Sequence, residues 1–336
     1  MPSEGTLVVH RLTSEVLRGN PLGDPTERDL YVYLPPGYDS GKGTYPTLLA
    51  VVGFTGTGGM IFNVDPLVEG LKTRLDRLIA SGALPPVIVV APDCFTRLGG
   101  NQYINSTATG RYEDYLIDEV VPYARRTFRT GRWGVFGKSS GGYGAIVLAM
   151  RHPELFEATA DHSGDSGFEL CYLPDFPEAL DAWREAGGPA KWLEKFWSDP
   201  ARRRKKYGKP LNMLAMSAHY SPNPASPTLG IDFPFDLETG VFKPEVWKRW
   251  RAWDPVTMVA GHAEALRRLR LVYVDCGTKD EFALHWGARA LVAAMRREGI
   301  SPVHEEFDDG HMTIPYRYDV SLPLLAKALA WMESRP

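Results

Sequence analysis

The chain has 336 residues, of which 44% are hydrophobic and 24% charged, and its formal net charge at pH 7 is −3. This composition predicts one large globular domain, residues 1–336, with room for a sizeable insertion. The small negative charge excludes a broad basic surface for nucleic acid. No apolar run has the length of a membrane-spanning helix.

The cysteines and the N-terminus bear on cellular location. Cys94, Cys171 and Cys276 are too few and too scattered for a disulfide framework or a cysteine-based zinc site. The first residues lack the basic and apolar segments of a secretory signal. We therefore expect reduced cysteines and a cytoplasmic location.

The first predicted elements alternate between strands and helices. Residues 30–34 alternate in polarity and stop at a Pro-Pro pair, which is typical of an edge-type strand. Continuous apolar runs at 47–52 and 87–91 predict strands buried on both faces of a parallel sheet. Between them, an Asp-Pro pair and leucines at helical spacing predict a helix over 65–82.

The alternation continues through the rest of the chain. Residues 112–128 predict a helix that Pro122 should kink or divide. Repeated strand–helix units of this length predict an α/β fold with a doubly wound, mostly parallel sheet. The later predicted elements are strands at 133–136, 156–160, 270–274 and 303–307, and helices at 143–150, 283–298 and 319–332.

Residues 165–255 interrupt this alternation. They contain six of the nine tryptophans, many prolines and the basic run 202–206. We interpret them as an inserted cap or lid segment that packs over the carboxyl edge of the sheet. The tryptophans would form either an apolar wall for substrate or the core of the insertion itself. The basic run is more typical of a solvated face than of an anion site.

The stretch WGVFGKSSGG, residues 133–142, is compatible with two kinds of site. A Walker A phosphate loop requires a glycine five positions before the glycine of GK, and Arg132 occupies that position. Gly137 and Gly141 flank Ser139 at −2 and +2, as in the G-x-S-x-G turn that presents a nucleophilic serine. The spacing therefore favours an acyl-transfer site over a nucleotide-binding one.

A serine nucleophile requires a base, and the base requires a carboxylate that orients it. In a parallel sheet these partners belong to loops at the carboxyl ends of later strands. Two such loops contain Asp280 and His311. The chain order Ser139, Asp280, His311 is that of the α/β-hydrolase triad.

Alternatives remain open for both partners. Asp280 could only cap the helix that follows it, and Asp275, Asp308 and Asp309 are competing carboxylates. His311 could be only a turn residue. His285 and His304 lie within a predicted helix and a predicted strand, where they are poorly placed to reach the site.

Acyl transfer also requires N–H donors for the oxyanion. The backbone N–H of Ser140, which follows the nucleophile, is the first candidate. The glycine-rich loop 53–59 follows the strand at 47–52, and we select the Phe54 N–H as the second donor. The alternative for this loop is a plain flexible connection or a phosphate cradle.

Residues 99–103 are assigned to the pocket lining, and Lys138 has no assigned role.

Several of these motifs occur in the order found in one family. The chain resembles the esterase D-like branch of the α/β-hydrolases, which includes S-formylglutathione hydrolases, feruloyl esterases, enterochelin esterases and mycolyltransferases. The similarity covers about residues 25–165 and 265–335. The motifs that carry it are Tyr33–Tyr38, Ala91–Asp93, Gly110–Leu116, Gly137–Gly142, the Asp280 loop and Asp309–His311.

The resemblance implies Ser139 as nucleophile, His311 as base, Asp280 as its orienting acid, and the Phe54 and Ser140 amides as the oxyanion hole. Many members have a histidine-glycine pair where this chain has Gly53 and Phe54. The tryptophan-rich insertion matches no member of the branch, which leaves the substrate open.

Together these features predict a serine carboxylic-ester hydrolase that acts through an acyl-serine intermediate on a small acyl or aryl ester. We expect no metal, no organic cofactor, no nucleic acid and no membrane as partners, and a homo-oligomer stays open. The alternatives are an acyltransferase or peptidase that uses the same triad, and a non-catalytic binding protein with the hydrolase fold.

Overall fold

The computed structural model of the protein describes residues 4–202 and 204–330. Its centre is an eight-stranded sheet. The strands of this sheet are β1 (Thr6–Thr13), β2 (Glu27–Leu34), β3 (Tyr45–Val51), β4 (Ile88–Pro92), β5 (Thr130–Lys138), β6 (Phe156–His162), β7 (Leu271–Gly277) and β8 (Val303–Phe307).

The strands lie side by side in the order β1-β2-β4-β3-β5-β6-β7-β8. β2 is antiparallel to both of its neighbours, and every other neighbouring pair is parallel. Parallel neighbours require crossover connections, which are usually helical. The sheet is therefore mostly parallel, as the sequence predicts.

Helices cover both faces of the sheet. The helices of the described residues are α1 (Leu71–Ala80), α2 (Tyr112–Thr127), α3 (Ser140–Arg151), α4 (Phe168–Cys171), α5 (Phe176–Ala186), α6 (Pro189–Ser198), α7 (Gly208–Tyr220), α8 (Pro244–Arg251), α9 (Pro255–Gly261), α10 (Ala263–Arg268), α11 (Leu284–Arg297) and α12 (Tyr318–Ala330). α1 and α12 pack on one face, and α2, α3 and α11 pack on the other, so the doubly wound arrangement is confirmed.

The last helix was predicted to reach residue 332, which lies outside the described residues. Short 3₁₀ turns occur at Gly58–Phe62, Leu173–Asp175, Lys205–Tyr207 and Pro315–Arg317, and Asn105–Ser106 pairs with Gly110–Arg111 in a small hairpin. None of the described helices combines the length and apolar character needed to cross a membrane.

The central strands are apolar throughout because both of their faces are buried. Val135 of β5 packs into the cluster under α2, and the next residue, Phe136, packs into the cluster under α12. Successive side chains of a strand point to opposite faces, so a continuous apolar run fits this position.

The position of β2 corrects one prediction. β1 pairs with β2 along its whole length, from Thr6 opposite Leu34 to Thr13 opposite Glu27, so residues 30–34 lie inside the sheet and not at its edge. β1 itself was not predicted. As the edge strand it is incompletely covered, and Val9 is 53% exposed, so its sequence lacks a clear alternation.

The start of α1 corrects a second prediction. Asp65 does not cap a helix; its Oδ1 accepts the Leu67 N–H at 2.8 Å in a local turn. The helix begins only at Leu71, after Gly70, where an added Cβ would lie 2.2 Å from the carbonyl oxygen of Asn63. Leu67 is 92% exposed and does not belong to the apolar face of α1.

Pro122 does not divide α2. The helix is α-helical over Tyr112–Asp114 and Val121–Thr127, and the segment between them, Tyr115–Val120, is a π-helix. Proline lacks an N–H, and its ring crowds the carbonyl four residues earlier. The wider π turn accommodates both effects, so the helix continues through Pro122.

The tryptophans of the insertion are mostly core residues. Four of them are buried in one cluster with side chains of α3 and β7, and two more are partly buried against it. Trp250 is fully buried, and its Nε1 donates to Ser221 Oγ at 2.8 Å. The buried tryptophans are Trp183, Trp192, Trp247 and Trp250.

The basic run contains paired side chains. Arg202 lies over the Trp197 ring at 5.5 Å, and Lys206 lies over the ring of the next residue at 4.9 Å. Arg204 is exposed and lies 3.8 Å from a carboxylate oxygen of Asp199. These contacts agree with the interpretation of the run as a solvated face. Arg203 lies outside the described residues.

Replacing the buried Trp250 should test the core role of these tryptophans. Trp250→Ala should lower the free energy of unfolding by about 3–5 kcal/mol, because it leaves a large cavity. Trp286→Ala is the matched control, since Trp286 is 53% exposed and should change stability by about 0.5 kcal/mol or less. Urea unfolding of both variants is the measurement, and equal small effects would contradict the assignment.

Candidate active site

Ser139 occupies a strained turn between β5 and α3. Its backbone has φ 61° and ψ −130°, and α3 begins at the next residue, Ser140. A positive φ is unfavourable for a residue with a Cβ and persists only where the surroundings impose it. The turn lifts Ser139 above the carboxyl edge of the sheet, where its side chain is partly exposed.

The two glycines of the motif are required by close backbone contacts. A Cβ on Gly137 would lie 2.4 Å from the carbonyl oxygens of Gly141 and Val51, and a Cβ on Gly141 would lie 2.2 Å from the same Val51 oxygen. Residues 130–138 form a strand, so they cannot curl around a phosphate. The turn therefore has the geometry of the predicted nucleophile elbow.

The structure brings Asp280 and His311 together. Asp280 follows β7, His311 follows β8, and these strands are parallel neighbours. Asp280 Oδ2 lies 2.7 Å from His311 Nδ1. The backbone N–H of His311 donates to Glu281 Oε2 at 2.6 Å, which fixes the histidine loop against the aspartate loop.

Asp280 is not the N-cap of α11, which is Ala283, so the alternative role predicted for it is wrong in that form. Its Oδ1 accepts the N–H of Phe282 at 2.9 Å and that of Leu284 at 3.4 Å. Burial raises the pKa of Asp280, but the hydrogen bonds from His311 and these amides outweigh it, so the pKa lies below its usual value.

The ends of β5 to β8 place Ser139 at the same edge as this pair. The Ser139 N–H donates to the carbonyl of His162 at the end of β6, and the Ser163 N–H donates to that of Asp275 in β7. In the part of the chain that the structure describes, Ser139 Oγ has no hydrogen-bond partner. Bonds between catalytic groups often form fully only with substrate present.

The predicted oxyanion donors adjoin the elbow. An added Cβ on Gly53 would lie 3.2 Å from Ser139 Cβ, so the Gly53–Phe54 peptide is packed against Ser139. The N–H of Ser140 lies at the start of α3, where amides have no acceptor within the helix. Both amides are thus close to Ser139, one on each flanking element.

The competing carboxylates are engaged elsewhere. Asp275 is buried and bonds His162 Nδ1 at 2.7 Å and Arg317 Nε at 2.9 Å. Asp308 pairs with Lys279 at the surface, and Asp309 accepts the hydroxyl of Tyr316 at 2.9 Å. His285 and His304 lie on α11 and β8, in the elements predicted for them.

A buried Ser-His-Asp cluster was not predicted from the sequence. His162 bonds Asp275 through Nδ1 and Ser321 Oγ through Nε2 at 2.8 Å. All three side chains are buried, and Ser321 lies within the regular helix α12. This cluster joins β6, β7 and α12, and its burial keeps substrate away from the serine.

The family of the chain follows from a sequence comparison. Residues 25–301 match the model of a family described as "Putative esterase". The chain belongs to this esterase family. The match ends before His311, so the place of that residue depends on the geometry above.

This esterase-family protein is similar in sequence to parts of curated proteins. Over 133 residues it is 32% identical to an endo-1,4-beta-xylanase/feruloyl esterase of Xylanibacter ruminicola, and those residues are 37% of this chain and 18% of that protein. The chain spans about a third or less of the length of the curated relatives it matches.

Two solved structures share the fold of this protein over nearly the whole chain. A ferulic acid esterase has 20% identity and a TM-score of 0.61 over 97% of this chain and 99% of its own. An S-formylglutathione hydrolase from Agrobacterium tumefaciens has 18% identity and a TM-score of 0.59 over 98% and 97%. The predicted α/β-hydrolase fold is therefore confirmed.

The segment 99–103 of this esterase-family protein lies behind the site. Asn101, Gln102 and Tyr103 are buried, and the Tyr103 hydroxyl bonds both the N–H and the carbonyl of Val52. The sequence offered one unused signal here, because Gln102 is the single glutamine of the chain.

Within residues 4–202 and 204–330, no three His, Cys, Asp or Glu side chains lie close enough together to hold a metal ion.

Lys138, which the sequence left without a role, is half-buried and precedes Ser139 directly. Burial lowers the pKa of Lys138 to about 8, while the carboxylates of Asp280, Asp165 and Glu281 oppose this shift. The folded state therefore holds this lysine's proton less tightly than the unfolded state does, which costs stability at neutral pH.

Lys138→Met should remove this cost. Between pH 8 and 10.5 the unfolded state binds more protons at Lys138 than the folded state does. As the pH rises through this range, the wild type should therefore gain stability, while the variant should not. Urea unfolding at pH 7, 8.5 and 10 gives the free energy of unfolding of both proteins. The variant should be more stable than the wild type at pH 7, and this difference should become smaller as the pH rises. Lys42→Met, at an exposed lysine, should follow wild type, and a pH-independent difference for Lys138→Met would contradict the assignment.

Proposed function

We propose that this protein is a serine carboxylic-ester hydrolase that acts through an acyl-serine intermediate. The observation that carries the proposal is the strained Ser139 turn, at the sheet edge that also holds the bonded Asp280–His311 pair. Membership of the esterase family supports the same reaction class. The buried Ser321 cluster offers no comparable access.

In the proposed first step, His311 Nε2 takes the proton of Ser139 Oγ as the oxygen attacks the ester carbonyl. Asp280 holds the Nδ1–H of His311, so the tautomer leaves Nε2 free to accept that proton. The lowered pKa of Asp280 keeps its carboxylate charged opposite the imidazolium that forms.

The tetrahedral intermediate then collapses to the acyl-serine. His311 gives its proton to the leaving alkoxide, the C–O bond of the ester breaks, and the alcohol departs. Water attacks the acyl-serine with His311 again as base, and proton return to Ser139 releases the acid. The N–H groups of Phe54 and Ser140 would stabilise the oxyanion in both steps.

A small acyl or aryl ester fits the surroundings of the proposed base. The Phe282 ring meets the His311 ring edge-on at 4.8 Å and is 43% exposed. Exposed aromatic surface beside the reacting atoms favours an apolar substrate group. The names of the two similar structures, a ferulic acid esterase and an S-formylglutathione hydrolase, agree with this class.

We propose a fixed cap role for residues 165–255. Trp197 Nε1 donates to the carbonyl of Arg97 at 2.9 Å, and an added Cβ on Gly99 would lie 2.6 Å from Leu211. These contacts attach the insertion to the segment behind the site.

A cytoplasmic location stays part of the proposal, supported by the three free and buried cysteines.

Ser139→Ala should abolish esterase activity. With p-nitrophenyl esters of increasing acyl length, kcat/KM should fall by about 10³-fold or more, because the nucleophile is lost. A fluorophosphonate should label the wild type at Ser139 and leave the variant unlabelled, as peptide mass spectrometry would show. A wild type that hydrolyses none of the esters and is not labelled at Ser139 would overturn the proposal.

Two serine variants serve as matched controls. Ser321→Ala removes the hydroxyl of the buried cluster; it should keep kcat/KM within about twofold while lowering stability by about 1–2 kcal/mol. Ser140→Ala should still be labelled at Ser139. Labelling lost in Ser140→Ala and kept in Ser139→Ala would mean that the nucleophile is the neighbouring serine.

A further inference from the structure

The side chain of Ser140 is the centre of a buried polar cluster. Gln102 Nε2 donates to Ser140 Oγ at 2.8 Å, and Ser140 Oγ donates to Asp165 Oδ2 at 3.1 Å. The Tyr172 hydroxyl donates to the same carboxylate oxygen at 2.8 Å. All four side chains are at least nine-tenths buried, so none of these bonds is shared with bulk solvent.

The backbone around Gln102 holds the other predicted oxyanion donor. The carbonyl of Gly99 accepts the N–H of Thr55 at 2.8 Å, directly after Phe54. The Phe54 ring rests on Gly100, where an added Cβ would lie 2.6 Å from it. One short segment therefore contacts both elements that carry the proposed donors.

We propose that Gln102 is a positioning residue that sets the geometry of the oxyanion hole. Its amide fixes Ser140 at the start of α3, while its backbone segment fixes the loop that contains Phe54. This inference rests on the proposed function, since it assigns the two amides to the oxyanion. It gives the single glutamine of the chain a role in transition-state stabilisation.

The hydrogen-bond inventory explains why an amide is needed at this position. The hydroxyl hydrogen of Ser140 is already directed at Asp165, so the Ser140 oxygen can only accept another bond, which requires a donor. A glutamate at position 102 would offer no donor and would place a second carboxylate about 3.3 Å from Asp165 Oδ2. Burial also raises the pKa of Asp165, which indicates how costly a second charge would be there.

The expected effect lies in kcat rather than in KM. Oxyanion donors act only if they lie within hydrogen-bond distance of the position that the oxyanion takes, and small displacements of reacting groups reduce rates steeply. Substrate binding in the ground state does not use these amides fully. Displacing these amides from their positions should therefore slow the chemical step and leave KM nearly unchanged.

A paired ester and thionoester separate this role from a general structural one. In the thionoester the developing charge falls on sulfur, which is larger than oxygen and a weaker hydrogen-bond acceptor. An intact oxyanion hole therefore favours the ester strongly, and a misaligned one favours it less. A defect in Ser139 or His311 would slow both substrates alike.

The test uses Gln102→Met, which keeps the length of the side chain and removes the donor. We expect kcat for a p-nitrophenyl ester to fall by about 10–100-fold, less than the ~10²–10³ of a lost donor, with KM within about threefold. The ester/thionoester ratio of kcat should shrink by a similar factor. Ser217→Ala is the matched control, because the Ser217 hydroxyl is buried in α7 and donates to the Met213 carbonyl of the same helix at 2.7 Å. This variant should leave kcat and the ratio unchanged.

A second variant keeps the test decisive if Gln102→Met does not fold. Ser140→Ala retains the backbone N–H but removes the hydroxyl that Gln102 holds, and it should show the same loss of kcat and of ratio. Unchanged kcat, or equal losses for ester and thionoester, in the folded variant would overturn the inference while leaving the proposed function intact. A wild type without esterase activity or Ser139 labelling would overturn both.

Discussion

The contact between the elbow and the end of β3 determines the arrangement of the whole site. β3 and β5 are parallel neighbours with Val51 opposite Gly137, and the carbonyl of Val51 leaves no room for a Cβ at Gly137 or Gly141. The chain after β3 must therefore pass directly beside Ser139. The sheet order thus brings the Phe54 loop to the serine.

Exposure of the serine distinguishes the proposed Ser139 site from the buried Ser321–His162–Asp275 cluster, since His311 and Asp280 are themselves buried. His162 is bonded on both ring nitrogens, to Asp275 and to Ser321, so its hydrogen-bonding capacity is used within the core. His311 uses Nδ1 for Asp280, and Ser139 stands on a strained turn at the edge of the sheet. Buried polar groups are usually satisfied for structural reasons, so hydrogen-bond geometry alone does not identify a catalytic serine.

Much of the fold could be predicted because the central strands are buried on both faces, which makes their sequences apolar without interruption. β1 could not, since an incompletely covered edge strand has no such signature, and Leu67 misled the prediction of α1 because an exposed leucine follows the same spacing as a buried one. Of the candidate site, the Asp280–His311 contact was predictable from loop order. The Gln102 cluster was not, because its partner Asp165 lies 63 residues away and the connection exists only in three dimensions.

Asp280 does not cap a helix as its N-cap residue, but its two oxygens have separate partners. One oxygen accepts the N–H groups of Phe282 and Leu284, while the other lies against His311 Nδ1. The two amides hold the Asp280 side chain in one orientation, and that orientation directs the second oxygen to the imidazole. The donors on both oxygens also favour the charged form, so the proposed orienting acid is at once fixed in place and ionised. The amide hydrogen bonds of the loop before α11 therefore prepare the carboxylate for the histidine.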